Sequence, residues 1–425
     1  MKVAFYTLGC KLNQAETESL AHRFSRAGLQ VVSPDDGVDV YIANTCTVTH
    51  VADRKSRHWL RLARRANPHA LIIATGCYVQ RSPKDLTRLA DLLVDNREKE
   101  HLPDLVRALY SEQTGSDQSE AGQSQVATPG LRTRSMVKVQ DGCHSACAYC
   151  IVPKVRPREY SLPASTIIEQ VRQKVALGYR EVVLTGTKVG SYRDSVHGLK
   201  DLLERILTET DIKRLHLSSL QPTEISPELL ALWQDDRLCR HFHLALQIGS
   251  QAMLERMTRS YSLEQYRAAL DLIRDTAPGT AITTDIMVGF PGETDDEFEQ
   301  SYSVCRQAGF ASIHVFPFSP RPGTAASAMP GQVEERVKQE RTRRMLELSR
   351  QSRRRFHQQF VGQTMPVLWE KETAPGSGIY SGLTGNYIRV YARSKGPLSN
   401  RITPARLTGF HTPGMRAEVL SEGPD

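Results

Sequence analysis

Three of the eight cysteines fall within one short run, Cys143-His144-Ser145-Ala146-Cys147-Ala148-Tyr149-Cys150, a Cys-x3-Cys-x2-Cys spacing. A structural zinc ion asks for four ligands closing around one tetrahedral centre. A cubane iron–sulfur cluster has four irons, each needing a ligand. Three clustered thiolates would leave one iron open to a small molecule, whereas a zinc knuckle would draw its fourth ligand from elsewhere. An open corner is a chemical device and a closed site a staple; spacing alone permits both.

Three further cysteines gain meaning from the elements that must position them. Residues 3–7, 39–43, 71–74 and 92–94 are short β-rich runs, and 16–24 and 50–66 carry helical periodicity. This βαβα order predicts a parallel, doubly wound sheet. Cys10, Cys46 and Cys77 directly follow the first three runs, each in a polar or glycine context. Ligands of open α/β sheets bind beyond the carboxyl ends of the strands, so these thiols are expected at one sheet edge. The alternative is three buried cysteines acting as small hydrophobes. The helix at 50–66 also bears Arg54, Lys55, Arg57, Arg61, Arg64 and Arg65, a solvated face or a strip for phosphates.

Residues 111–130 are rich in Ser, Gln and Gly and read as an interdomain linker. Strand candidates then recur at 136–139, 181–184, 214–217, 242–246, 282–288 and 312–316, with helical segments between. Ser226-Pro227 is an N-cap followed by proline, and Thr294-Asp295-Asp296-Glu297 fits a capping box. Six strands with intervening helices suggest a partial (β/α)6 barrel, with the Cys143–Cys150 loop on its carboxyl-end face. Thr185-Gly186, Ser218-Ser219, Gln247 and Gly289-Phe290-Pro291-Gly292-Glu293 end later strands on that face; each glycine read singly makes a turn. Cys239 and Cys305 lack cysteine neighbours and suit core packing.

A long basic helix at 334–360 precedes short β-like runs at 365–370, 387–391 and 417–420, which suggest a small β-barrel able to grip nucleic acid. The fold class is thus α/β, organised as 1–112, a linker at 113–130, a barrel core at 131–359 and a β-barrel at 360–425. The net charge of +8, from 55 basic and 47 acidic residues in 425, suits a polyanionic partner. No apolar run approaches the ~20 residues of a membrane span, and the N-terminus has no secretory pattern. A cytoplasmic chain is expected, where eight cysteines argue for metal or redox chemistry over disulfides.

The Cys143–Cys150 loop, with Tyr149 before the last cysteine and Ile151-Val152-Pro153 after it, resembles the signature of radical S-adenosylmethionine enzymes. Thr7-Leu8-Gly9-Cys10-Lys11-Leu12-Asn13-Gln14, Asn44-Thr45-Cys46 and Gly76-Cys77 are similar to the cluster-binding domain of the methylthiotransferase family. Gly382-Leu383-Thr384-Gly385-Asn386-Tyr387 resembles its TRAM RNA-binding domain, so the resemblance covers nearly the whole chain. It implies two [4Fe-4S] clusters. One, on Cys143, Cys147 and Cys150, would cleave S-adenosyl-L-methionine to a radical; the other, on Cys10, Cys46 and Cys77, would hold the sulfur to be inserted. A second S-adenosylmethionine would methylate that sulfur. Tyr149, Gly186, Ser218, Gln247 and Gly289 would help bind the cofactor.

The residues around Cys10, with Leu184-Thr185-Gly186 and Gly190-Ser191-Tyr192, look most like the branch acting on carbon 2 of N6-threonylcarbamoyladenosine at tRNA position 37. The implied partners are the tRNA anticodon arm, an electron donor such as flavodoxin or ferredoxin, and a sulfur donor, with no membrane. Pro157, Tyr160, Gln221 and Ile248 depart from the family pattern at positions bearing on substrate fit rather than on the clusters. Two other readings stay open: a methylthiotransferase for another adenosine or a ribosomal protein, and a non-catalytic zinc and RNA-binding protein.

Overall fold

The computed structural model of the chain describes residues 1–114 and 133–420. It divides into two compact units. The first comprises Met1–Leu131, Asp141–Ser145 and Cys150–Glu159, and the second Arg132–Gln140, Ala146–Tyr149 and Tyr160–Asp425.

The first unit contains β1 (Lys2–Thr7), α1 (Lys11–Arg26), β2 (Gln30–Val31), β3 (Val40–Thr45) and α2 (His50–Ala66). It continues with β4 (Leu71–Gly76), α3 (Cys77–Arg81), β5 (Leu92–Val94) and α4 (Leu102–Thr114). The strands form one parallel sheet in the order β2-β1-β3-β4-β5. Alternate residues feed opposite faces. Val3, Ile42 and Ile73 pack with Leu20 and Phe24 of α1, while Ala4, Tyr41 and Ile72 pack with Leu60 of α2 and Tyr78 of α3. Every residue of β3 is buried, as a strand covered on both faces must be. The strand order reverses between β1 and β3, the switch point at which such sheets open a crevice for ligands.

The expected strand–helix order of this unit is present. Helix α1 begins well before residue 16, because Leu12 and Ala15 already face the sheet. Helix α4 runs through Thr114, so Ser111–Thr114 belong to it rather than to the linker. Glu112 and Gln113 are good helix formers, and Gly115 is the first breaker in the sequence. The rest of the expected linker, to residue 130, lies outside the described residues.

The second unit begins with β6 (Arg134–Lys138) and includes part of β7 (Gln140–Asp141); α5 (Val152–Val155) belongs to the first unit, and β8 (Tyr160–Ser161) to the second. Then follow α6 (Ala164–Ala176), β9 (Glu181–Thr185), α7 (Leu199–Glu209), β10 (Arg214–Leu217), β11 (Ser219–Leu220) and α8 (Pro227–Leu230). Next come β12 (His241–Leu244), α9 (Gln251–Arg256), α10 (Leu263–Thr276), β13 (Ala281–Val288), α11 (Asp295–Gln307), β14 (Ser312–Pro317) and α12 (Glu335–Gln358). The strands form two parallel sheets, β10-β9-β6 and β11-β12-β13-β14. Only Ser218 separates β10 from β11, so the chain itself steps from one sheet to the other. This is the expected half-open barrel, with β11 as an addition too short to show any alternation in sequence. The Ser226 cap and the Thr294–Glu297 capping box are both formed.

Strands β15 (Thr364–Glu372), β16 (Ile379–Thr384), β17 (Arg389–Arg393), β18 (Ile402–His411) and β19 (Gly414–Val419) close into a barrel in the order β15-β16-β17-β19-β18. The expected strand at 387–391 starts later, at Arg389. Thr384 instead accepts from the Ile388 N–H and donates to Asn386, and this turn puts Tyr387 at a φ of 68°.

This small barrel docks on the amino ends of the parallel strands. The Arg214 guanidinium donates to the carbonyls of Leu383 and Thr384 at 2.9 and 2.8 Å, and Asn386 donates to the Gly279 carbonyl at 3.2 Å. The Tyr387 ring stacks on His241 at 4.5 Å. Arg214 is itself paired with buried Glu181 at 3.1 Å. Burial opposes ionisation of Glu181, but Arg214 and His216 overcome it and hold its carboxyl at about 2, against an ordinary 4.5. Because the folded value is depressed, its contribution to stability is whole above pH 4.5 and lost as pH falls toward 2. Glu181→Gln should therefore lower stability at neutral pH by about 3 kcal/mol by leaving Arg214 unpaired, and flatten the acid limb of the denaturation profile.

Candidate active site

In the first unit the three isolated cysteines reach one place. Cys10 caps the start of α1 after β1, Cys46 directly follows β3, and Cys77 opens α3 directly after β4. β1, β3 and β4 are neighbours in the sheet, so their carboxyl ends present the three thiols side by side. Two glycines permit the approach. A Cβ on Gly9, at φ +97°, would stand 2.7 Å from the Cβ and Sγ of Cys46. One on Gly76, at φ +99°, would stand 2.4 Å from the Thr45 carbonyl oxygen. Only glycine adopts these angles without strain.

Polar side chains from the same motifs hold the turns in register. The Asn13 amide donates to the carbonyls of Leu8 at 2.8 Å and Thr45 at 3.1 Å, tying the turn of Cys10 to that of Cys46. Thr45 Oγ1 donates to the Thr75 carbonyl at 2.5 Å, extending the tie toward Cys77. Asn44 in turn donates to the Asn13 carbonyl at 2.9 Å and to Thr17 Oγ1 at 3.1 Å. Burial pushes the Cys46 thiol up to about 12, and the nearby Cys77 and Cys10 add to the effect. Burial likewise pushes the Cys10 thiol up, although Asn13 and Arg156 work against it.

Two buried cations stand beside them. Arg156 bonds Asp141 at 2.7 and 2.8 Å, Glu16 at 2.8 and 3.0 Å, and Asn13 at 3.0 Å. Burial opposes its charge, but Glu16, Cys77 and Asp141 keep it firmly protonated. Lys99 donates to Glu16 at 2.6 Å and to Asn44 at 3.0 Å. Asp141 and Arg156 flank the loop cysteines Cys143 and Cys150, which belong to this unit and are partly exposed. The Ser145 N–H donates to Cys143 Sγ at 3.4 Å.

Cys147 and Tyr149 belong to the second unit. Arg259 Nη1 lies 3.1 Å from Cys147 Sγ and 3.5 Å from the Tyr149 hydroxyl, and its Nε donates to Tyr261 at 3.2 Å. At the carboxyl ends of the strands, Ser218 Oγ, Gln247 Oε1 and Thr187 Oγ1 are buried and have no hydrogen-bond partner among the described residues. Gln247 is held at a φ of 70° by backbone bonds to Asp285 and Met287. Gly186 lies against Gln140, whose carbonyl a Cβ there would meet at 2.8 Å. The Gly289 N–H is committed to Glu293 at 2.5 Å, and Arg341 of α12 pins that carboxylate at 2.7 Å. One face of the basic helix α12 is thus a buried clamp rather than a solvated surface.

These residues fit the groups that the resemblance implies. Each thiolate of a cubane binds a different iron, so three thiols ringing a volume suit it, whereas a single zinc ion needs its ligands to meet at one point. Among the described residues no three His, Cys, Asp or Glu side chains meet in that way. The orphaned oxygens of Ser218, Gln247 and Thr187 are what a polar cofactor at the strand ends would satisfy. Cys239 and Cys305 are buried in the second unit: Cys305 packs in the apolar core, as expected, whereas Cys239 lies beside the charged pair of Arg214 and Glu181.

Arg156, Lys99, Thr187 and Arg259 carry no spacing signal in the sequence, so residue order alone does not mark them as site residues. Arg156→Met should destabilise the chain by about 3 kcal/mol in urea unfolding, since it takes the Arg156 cation from buried Asp141 and leaves Glu16 to Lys99. Arg156→Lys should recover only part, because one ammonium cannot bridge Asp141, Glu16 and Asn13 in the plane of a guanidinium.

Comparison with known proteins agrees with this arrangement. Residues 137–305 match the Radical SAM superfamily model, and residues 2–95 match the Uncharacterized protein family UPF0004 model. The threonylcarbamoyladenosine tRNA methylthiotransferase MtaB of Bacillus subtilis is 34% identical, across 95% of this chain and 93% of that protein. The MtaB of Thermotoga maritima is 35% identical across 99% and 95%. The tRNA-2-methylthio-N(6)-dimethylallyladenosine synthase of Syntrophotalea carbinolica is 33% identical across 95% and 97%. Among solved structures, the radical S-adenosylmethionine methyltransferase TsrM of Kitasatospora setae shares the fold, with a TM-score of 0.57 at 13% identity over 77% of this chain and 75% of its own. The chain belongs to the radical S-adenosylmethionine family of tRNA methylthiotransferases.

Proposed function

We propose that this chain adds a methylthio group to carbon 2 of N6-threonylcarbamoyladenosine at tRNA position 37. The observation that carries the reading is the convergence of Cys10, Cys46 and Cys77 in a chain that also bears Cys143, Cys147 and Cys150. An enzyme with a single cluster has no use for the second set. Relatives named for threonylcarbamoyladenosine, at 34–36% identity, favour that nucleoside.

Cys143, Cys147 and Cys150 would hold one [4Fe-4S] cluster with S-adenosylmethionine, and Cys10, Cys46 and Cys77 a second. When bound, the first supplies a carbon radical able to break an unactivated C–H bond, and the second carries the sulfur to be methylated. The side chains of this protein do the rest. Arg156 and Lys99 offset negative charge beside the first-unit thiols, and Arg259 orients Cys147 and Tyr149. Ser218, Gln247 and Thr187 offer hydrogen-bonding atoms to the cofactor, while Gly186 and Gly289 shape the cofactor-facing turns by letting Gln140 and Lys338 pack against them.

On α2, Arg54, Lys55, Arg61 and Arg65 are exposed, whereas Arg57 is engaged by Tyr78 and Arg64 by Asp91. The four exposed cations and the TRAM-like barrel at 360–425 would hold the anticodon arm by phosphate contacts, with the target base splayed out. Residues 1–112 would act as the sulfur-bearing domain and 131–359 as the radical core. A cytoplasmic setting would supply a flavodoxin or ferredoxin as reductant, together with a sulfur donor. Among the described residues no helix is long and apolar enough to cross a membrane.

Nucleoside mass spectrometry of tRNA from cells lacking the gene tests the reaction: methylthio-threonylcarbamoyladenosine should vanish and return on complementation. An unchanged nucleoside profile would reject the reading. Cys147→Ala should abolish S-adenosylmethionine cleavage while keeping roughly half the iron, on the first-unit thiols. Purified protein that holds zinc in place of iron would overturn both cluster assignments.

A further inference from the structure

The inner face of the half-open barrel carries a cluster of titratable side chains that the radical chemistry does not use. On β13, Thr284 faces the helices, since its hydroxyl contacts Tyr266 of α10 at 3.2 Å. Thr283 and Asp285 therefore face inward, by the two-residue period of a strand. His314 of β14 is the register partner of Asp285, and His243 of β12 that of Thr283. Asp285 ties the two imidazoles together: its Oδ2 is 3.2 Å from His243 Nε2 and its Oδ1 is 3.1 Å from His314 Nδ1. Thr283 Oγ1 meets His243 Nδ1 at 3.0 Å.

The environments of the two imidazoles differ. His243 has both ring nitrogens engaged and is 18% exposed, whereas His314 is 75% exposed and its Nε2 has no partner among the described residues. Hydrogen bonding to Asp285 favours the protonated form of His314, against some burial. Protonated, it presents an Nε2–H donor to the inner space. A second cation approaches the same strand, for Arg353 of α12 donates to Ser312 Oγ at 2.9 Å. Ser312 lies two residues before His314, on the same side of β14. Asp285 stands three residues before the end of β13, so the cluster lies about 10 Å below the rim of the barrel at 3.3 Å per residue.

Resting on the function proposed above, we infer that His314, oriented by Asp285 and His243 and aided by Arg353, binds the carboxylate of the N6 substituent of the target adenosine. The relatives act, by name, on bases whose N6 groups differ in one decisive property. Threonylcarbamoyl ends in an anionic carboxylate, and dimethylallyl is wholly apolar. Protonated His314 and Arg353 pair with the first, and the polar wall that they share with Thr283, Asp285, Ser312 and His243 would be stripped of water without compensation by the second. Charge complementarity, rather than pocket size, would then choose the substrate.

The test uses the full-length reconstituted protein and anticodon stem-loops whose position 37 carries threonylcarbamoyladenosine, its neutral methyl ester, or dimethyallyladenosine. Binding is read by fluorescence anisotropy at fixed salt. The wild type should bind the acid about ten-fold or more tighter than the ester. His314→Gln should bring that ratio close to one without weakening the ester, and Arg353→Gln should reduce it partway. Exposure of His314 makes misfolding of the first variant a small concern, and the unchanged ester affinity controls for it. An acid-to-ester ratio near one in the wild type, or a ratio retained in His314→Gln, overturns the inference. The function proposed above is judged separately, by formation of methylthio product from the acid stem-loop.

Discussion

The amide of Asn13 is the constraint on which the first unit's site depends. Three parallel strands end at one sheet edge in any doubly wound fold, but the turns beyond them are free to diverge. Here one side chain donates to two carbonyls, Leu8 and Thr45, and Thr45 passes the tie to Thr75. The three cysteine-bearing turns are held by a short chain of buried hydrogen bonds rather than by the cysteines themselves. The thiols can thus be assembled before any metal arrives. Arg156 completes the frame by joining Asn13 and Glu16 to Asp141, the residue that precedes the Gly142-Cys143 step.

Buried charge is distributed with a purpose in both units. Arg156 and Lys99 are cations set beside the cysteines, and their own partners, Glu16 and Asp141, bring the set of four near neutrality. In the second unit the charged residues separate by depth. Arg214, Glu181 and His216 lie at the amino ends of the strands, where they fasten the small barrel. The orphaned oxygens of Ser218, Gln247 and Thr187 lie at the carboxyl ends.

Docking of the C-terminal barrel at the amino ends has a mechanical consequence. It stands at the end opposite the turns that follow the strands, and Tyr387 and Asn386 join it to His241, which opens β12, and to Gly279, just before β13. A nucleic acid gripped by that barrel must extend along the second unit for one of its bases to reach the strand ends.

Much of this protein was readable from residue order. The strand–helix alternation, the cap at Ser226, the capping box at Thr294 and the cysteine spacing depend on local periodicity and short-range hydrogen bonds, so the sequence carries them openly. The Ser226 cap, the Thr294 capping box and the two sets of three cysteines are all visible in residue order, whereas the order of strands within each sheet is not. What residue order did not reveal is which distant polar groups meet. Asn13 with Thr45, Arg156 with Glu16, Arg259 with Cys147, and His243 with Asp285 and His314 are all joined across tens or hundreds of residues. Such contacts have no period. They arise only when the strands are placed side by side, because a buried charge finds its partner through the packing of the whole sheet and not through its neighbours in the chain.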